Sequence, residues 1–172
     1  MNDLIGSRQR LLLDRMNDDE AAAFVMSLLT TARRVSGCHN DLLADHDATD
    51  GRFASLLAIS ASPGITPAAL ADTIGVSRAT VTGLVDGLVK RNLVTRTADD
   101  QDRRTLCLSV TDAGRTAADD LVPAAGGRLS ALADGIDPAD RAAALRVFAR
   151  IAENIRAVTA ETRTDDAPAA AP

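Results

Sequence analysis

Tyrosine and tryptophan are absent from this 172-residue chain, and phenylalanine occurs only three times. Single-stranded DNA and RNA are gripped largely by stacking bases on aromatic rings, so that mode of recognition has little to work with here. Cysteine is almost as scarce. Cys38 and Cys107 stand far apart with no C-x-x-C, which excludes a disulfide framework and makes a reducing cytoplasm the expected setting. Long apolar runs are missing too, so no segment is expected to span a membrane. The N-terminal "MNDLIGSRQRLLLDRMNDD" lacks an apolar stretch followed by a small-residue cleavage site and does not read as a secretory signal. Catalytic patterns are also wanting: there is no H-E-x-x-H, no Gly-rich phosphate loop and no Ser-His-Asp ordering. An enzyme is not expected, nor a cofactor or a metal.

Positive charge is in deficit overall, with a formal net charge of −5, which at first argues against nucleic acid. The deficit is uneven. Residues 1–60 hold 6 basic and 9 acidic side chains, residues 111–172 hold 7 and 10, and residues 61–110 hold 6 and 5. All six positive charges of that middle segment lie between Arg78 and Arg104. A DNA-binding patch needs local rather than global positive charge, and an aromatic-poor chain of this kind suits duplex DNA best.

What the chain does have is helical periodicity. The first sixteen residues form a short amphipathic arm with Leu4, Ile5, Leu11, Leu12 and Met16. A long helix is expected from Asn17, with Glu20 completing a capping box. Its apolar stripe runs Phe24, Leu28, Thr31, Val35, Cys38, Leu42, and the helix should end near His46. A second helix spans Arg52 to Ser60 and stops at Ser62-Pro63-Gly64. Thr66 caps a third with Pro67 at its first position, Gly75 makes a tight turn, and Ser77 caps a fourth that runs to Arg91. In that fourth helix Val81, Leu84, Val85, Leu88 and Val89 mark a buried face, while Arg78, Ala79, Thr80, Thr82 and Gly83 leave the other side small or hydroxylated. Two short strands follow, around Val94 and over Leu106–Val110, flanking a charged loop from Ala98 to Arg104. Thr111 caps a further helix expected to kink or break at Pro123 and Gly126-Gly127. Asp137-Pro138 opens the last helix, with Leu145, Phe148, Ile151, Ile155 and Val158 on one face, and the Pro/Ala-rich tail is expected to be disordered.

The fold class is therefore mainly α with a small β-wing: a helix-turn-helix followed by a hairpin, with long N- and C-terminal helices. The expected domains are an N-terminal arm and helix over 1–46, a winged helix-turn-helix over 50–111, C-terminal helices over 112–163 and a tail over 164–172. The terminal helices carry apolar faces with nothing in one small domain to cover them, which favours association with a second copy.

"LADTIGVSRATVTGLVDGLVKRNLV" followed by "DDQDRRTLCLSVTDAG" resembles the core of MarR-family transcriptional regulators, over roughly Arg52 to Arg115. The Asp-x-Arg of the wing falls on Asp102 and Arg104, and the Leu-Thr-x-x-Gly-like end of the second strand falls on Val110, Thr111 and Gly114. The resemblance implies a homodimer whose terminal helices interlock while two winged helices grip one duplex, as a repressor on a pseudo-palindromic operator. It also gives the smooth helix face a reason. A recognition helix enters the major groove N-terminus first, so Ala79 and Gly83 allow close approach, Thr66, Ser77, Thr80 and Thr82 offer hydroxyls, and Arg78 is the candidate for a guanine. In the wing, Arg103 and Arg104 beside Asp102 suit a narrow minor groove. Gly83 departs from the family pattern, which often has a basic residue there.

Relatives of this kind commonly answer to small anionic or phenolic ligands, for which Arg33, Arg34, His39 and Arg52 are the candidate lining residues. Alternatives within the same fold are a thiol-based redox sensor at Cys38 or Cys107 and a winged helix used for protein contact. The sensor lacks the tyrosine partners usual in thiol-based members, and Cys38 falls on the apolar stripe as a buried thiol. His39, Asp45 and His46 with Cys38 are a poor zinc set, because the two histidines lie two helical turns apart.

Overall fold

A computed structural model describes residues 6–15, 19–98 and 105–165. Seven helices and a two-stranded sheet follow in order among them: α1 (Ser7–Leu13), α2 (Glu20–Asp45), α3 (Asp50–Ala61), α4 (Pro67–Ile74), α5 (Arg78–Lys90), β1 (Val94–Ala98), β2 (Leu106–Val110), α6 (Asp112–Ala131) and α7 (Pro138–Asp165). None of the described helices is long and apolar enough to cross a membrane. The chain divides into two units, residues 1–132 and 133–172.

Hydroxyl caps start α4, α5 and α6. Thr66 Oγ1 accepts from the Ala69 amide at 3.2 Å, Ser77 Oγ from Thr80 at 3.1 Å and Thr111 Oγ1 from Gly114 at 3.0 Å, each bond contributing about 1 kcal/mol. Gly75, at φ 70°, closes α4 in the left-handed region. Its turn brings α4 against α5, with Ala71 buried where the two helices meet.

The main core joins Leu56 and Ile59 of α3, Leu70 of α4, Val81, Val85 and Leu88 of α5, and Val94 and Leu108 of the sheet. Truncating one such leucine to alanine typically costs about 2–5 kcal/mol. The sheet is antiparallel, with Val94 opposite Val110 and Arg96 opposite Leu108. Ile65 adds a single bridge to Leu108. A smaller cluster of Leu43, Phe53, Leu121 and Ala125 fixes α2 and α6 to α3.

Several local expectations are corrected. Asn17 lies outside the described residues, and the cap of α2 is Asp19, whose Oδ1 accepts from Ala21 and Ala22, so Glu20 opens the helix instead of closing a capping box. Thr49, not a residue at Arg52, starts α3. In the arm it is Leu13 that is buried while Leu11 is exposed; Leu4, Ile5 and Met16 lie outside the described residues. No break occurs at Pro123. Helix α6 runs on through the Gly126-Gly127 pair, because both Pro123 and Asp119, whose carbonyl the proline leaves without a donor, face solvent. By its contacts with α2, α3 and β2, α6 belongs to the first unit rather than with α7. Helix α7 continues through Thr164 and Asp165, past the expected start of the tail, whose residues 166–172 lie outside the described part.

The apolar stripe of α2 is largely outward in the single chain. Phe24 and Val35 are exposed, and Leu28, Cys38 and Leu42 only half-buried, whereas Thr30 and Leu43 supply the buried positions. Helix α7, taken by itself, buries none of its described side chains, and Leu145, Phe148, Ile155 and Val158 stand exposed.

Candidate nucleic-acid interface and adjoining cavity

Helix α5 divides cleanly by face. Val81, Val85 and Leu88 anchor it in the core, and Arg78, Ala79, Thr80, Thr82 and Gly83 are all exposed on the other side. The hydroxyls are ordered among themselves: Ser77 Oγ and Thr80 Oγ1 lie 2.8 Å apart, and Thr82 Oγ1 donates to the Arg78 carbonyl at 3.2 Å. Apart from the Thr80 amide held by Ser77 Oγ, the amides of the first turn stand at an exposed helix N-terminus, a setting that favours phosphate. Thr66 does the same work at the start of α4. Asp102, Arg103 and Arg104 lie outside the described residues.

A Cβ at Gly83 would meet nothing within 4 Å. Gly83→Ala therefore gains helix propensity without a clash and is expected to stabilise the fold by up to about 1 kcal/mol. A raised midpoint in urea denaturation checks this, and a lowered one would mean the backbone there needs glycine.

The C-terminal ends of α2 and α5 share a second construction. Both close in Schellman motifs, with Ala48 N bonded to Leu43 O at 2.8 Å and Leu93 N to Leu88 O at 3.0 Å. The left-handed residues are Asp47 (φ 53°) and Asn92 (φ 57°) in place of the usual glycine. Arg91 ties the two ends together. Its guanidinium donates to the Asp47 carbonyl and pairs with the Asp47 carboxylate at 2.7 Å. Arg91 is thus a clamp between residues 44 apart in sequence.

Beside this clamp lies a cavity of about 250 Å³ with an apolar wall of Phe53, Leu56, Leu88 and Leu121 and a polar rim of His46, Arg52, Arg91 and Asp120. Arg52 crosses from α3 onto α5, where a Cβ at Gly87 would stand 2.8 Å from its Nε. Among the described residues the Arg52 guanidinium makes no hydrogen bond or ion pair. Of the four ligand candidates only Arg52 lines this cavity. Arg33 and Arg34 are exposed on α2. His39 packs on Phe53, with ring centroids 6.5 Å apart, and holds Nε2 3.6 Å from Asp50 Oδ1. Sequence reasoning missed Arg91, His46 and Asp120; the one signal available was Gly87 in α5, whose missing side chain leaves room for Arg52.

Cys38 is half-buried rather than buried, and its Sγ accepts from Arg128 Nη1 at 3.9 Å. Cys107 is also half-buried. No three His, Cys, Asp or Glu side chains among the described residues converge as metal ligands.

A helix-turn-helix backed by a β-hairpin, with a smooth, hydroxyl-rich outer face on its second helix, defines a winged-helix module of the DNA-binding type. Residues 46–105 match the model of the MarR family. Over those residues the chain resembles the winged helix of that family. It is 25% identical over 109 residues to the HTH-type transcriptional repressor YetL of Bacillus subtilis (strain 168), a match covering 62% of this chain and 65% of that repressor, just short of two thirds of its length. Among solved structures it resembles the transcriptional repressor CouR bound to a 23-mer DNA duplex, with TM-score 0.68, 27% identity and coverage of 81% of this chain and 96% of that one. It also shares the fold of BpsR of Bordetella bronchiseptica, whose DNA binding is regulated by 6-hydroxynicotinic acid, with TM-score 0.64, 23% identity, and coverage of 73% and 89%.

Proposed function

We propose that this protein is a sequence-specific regulator of transcription that binds duplex DNA as a homodimer, acts as a repressor, and is released by a small anionic or phenolic effector. The observation that carries the reading is α5: a helix pinned by Val81, Val85 and Leu88, with the whole small and hydroxylated side free at its N-terminal end. Such a face suits close approach to base edges, with Arg78 as the bidentate reader of a guanine. The similarity to a repressor seen on a DNA duplex supports the same use of the fold. Arg103 and Arg104, with Asp102, extend the contact into a minor groove. A DNA-binding regulator of this kind is expected to work in the cytoplasm.

Exposed apolar side chains on α2 and α7 support the dimer, since solvent would otherwise cover Phe24, Leu145, Phe148, Ile155 and Val158. A two-fold dimer expects a pseudo-palindrome with half-site centres about 10 bp apart or a multiple of that. The effector fits the cavity beside Arg91: apolar walls for a ring and an unpaired Arg52 for a carboxylate or phenolate.

Selection from a random duplex pool, followed by Arg78→Ala, tests the reading. The variant is expected to lose about 5- to 150-fold in affinity, corresponding to about 1–3 kcal/mol, and its preference at one symmetry-related base pair. Loss spread evenly over all sequences would make Arg78 a phosphate contact instead.

A further inference from the structure

Asp86 is the one acidic residue of α5, and it stands on the same ridge as Arg78 and Thr82, at successive steps of four residues. A carboxylate there faces the direction from which phosphates approach and should weaken DNA binding. The structure gives it a partner. Arg96 lies on β1 directly opposite the buried Leu108, on the same face of the strand as buried Val94. Its side chain therefore leaves the ladder toward α5, where Nη2 pairs with Asp86 Oδ1. The Arg96 side chain is 33% exposed and Asp86 56% exposed.

We propose that Asp86 and Arg96 form a positioning pair: it braces the wing ladder against the recognition helix and cancels the negative charge on the reading ridge. This rests on the DNA-binding reading given above. Arg96 then serves affinity without touching DNA. The partners must also be coupled in a characteristic way. With Arg96 present, Asp86 helps binding, because it holds the brace. With Arg96 gone, Asp86 is a bare charge beside the phosphates and harms binding.

A double-mutant cycle on the selected duplex reads this out as a change of sign. Arg96→Ala is expected to lower affinity about tenfold, because it both frees the wing and bares the carboxylate. Asp86→Ala in the intact protein lowers it about threefold. Asp86→Ala added to Arg96→Ala raises it again, to within about threefold of the parent. The dependence of log affinity on log salt keeps the parental slope in Asp86→Ala/Arg96→Ala, since no phosphate contact has been removed. A direct phosphate contact by Arg96 gives another pattern: Asp86→Ala strengthens binding in both backgrounds, and Arg96→Ala flattens the salt slope by about 0.9. That result overturns the proposal. So do variants that melt earlier yet bind with unchanged affinity, which would reduce the pair to a fold contact. A parent that selects no duplex at all overturns the DNA-binding reading together with this one, whereas a parent that binds tightly with additive variants overturns this one alone.

Discussion

Gly114→Ala is expected to destabilise the winged helix by about 2–4 kcal/mol, the largest loss expected of any glycine-to-alanine change in this chain. A Cβ at this position would stand 2.1 Å from the Leu93 carbonyl oxygen, 3.0 Å from its carbon and 3.3 Å from Leu93 Cα. Backbone cannot step aside as a flexible side chain does, and this backbone is held on several sides. Leu93 N bonds to Leu88 O at 3.0 Å, Leu93 O accepts from Thr111 N at 3.0 Å, and Thr111 Oγ1 donates to Asn92 O at 2.7 Å. Relieving the clash therefore means parting the end of α5 from the start of α6. The substitution also has a favourable side, because alanine exceeds glycine in helix propensity by about 1 kcal/mol. Overpacking in a fixed site outweighs that gain. Urea denaturation measures the difference, and a variant as stable as the parent would show that α6 can slide at no cost. The opposite sign expected at Gly83 makes the pair of glycines an internal comparison.

Ile155→Asp combined with Val158→Asp is expected to give a folded monomer whose affinity for a two-half-site duplex is lower by about 10²–10⁴-fold. Both residues lie on α7 and are about 60% exposed in the single chain, Ile155 at 60% and Val158 at 61%. Aspartate there removes no packing from the chain's own core. In a dimer that covers this face it buries charge without a partner, which is strongly unfavourable. The loss of affinity follows from the loss of the second half-site, because two linked winged helices bind at high effective concentration and one does not. Sedimentation equilibrium gives the mass and circular dichroism the helix content. A variant that stays dimeric would move the interface to other surfaces, such as the exposed apolar residues of α2.

The parts of the fold visible in the sequence are those set by neighbours in the chain. Thr66, Ser77 and Thr111 cap where a hydroxyl before an apolar run says they should, and the 3-1-3-1 spacing of Val81 to Val89 gives the buried face of α5. The exposed, smooth side of α5 follows directly. Periodicity marks an apolar face without saying what covers it: the α2 stripe through Phe24 and Val35 faces outward in the single chain. The helix is continuous through Pro123 because the carbonyl the proline frees, that of Asp119, is open to solvent. Arg91, Arg96 and Arg52 were the least legible. Their roles depend on partners brought close by tertiary structure, namely Asp47, Asp86 and the gap at Gly87, and a charge in a sequence does not carry the name of its partner.

The central claim is that the winged helix binds duplex DNA, and the salt dependence of binding tests it most directly. Fluorescence anisotropy with a selected duplex should give tight association at low salt. With about 6–10 phosphates contacted, affinity is expected to fall by about 10³–10⁵-fold between roughly 50 and 200 mM salt, as counterions compete for the phosphates. Association with the duplex that does not change across that range, or no association with any duplex while the dimer stays intact, would contradict the account.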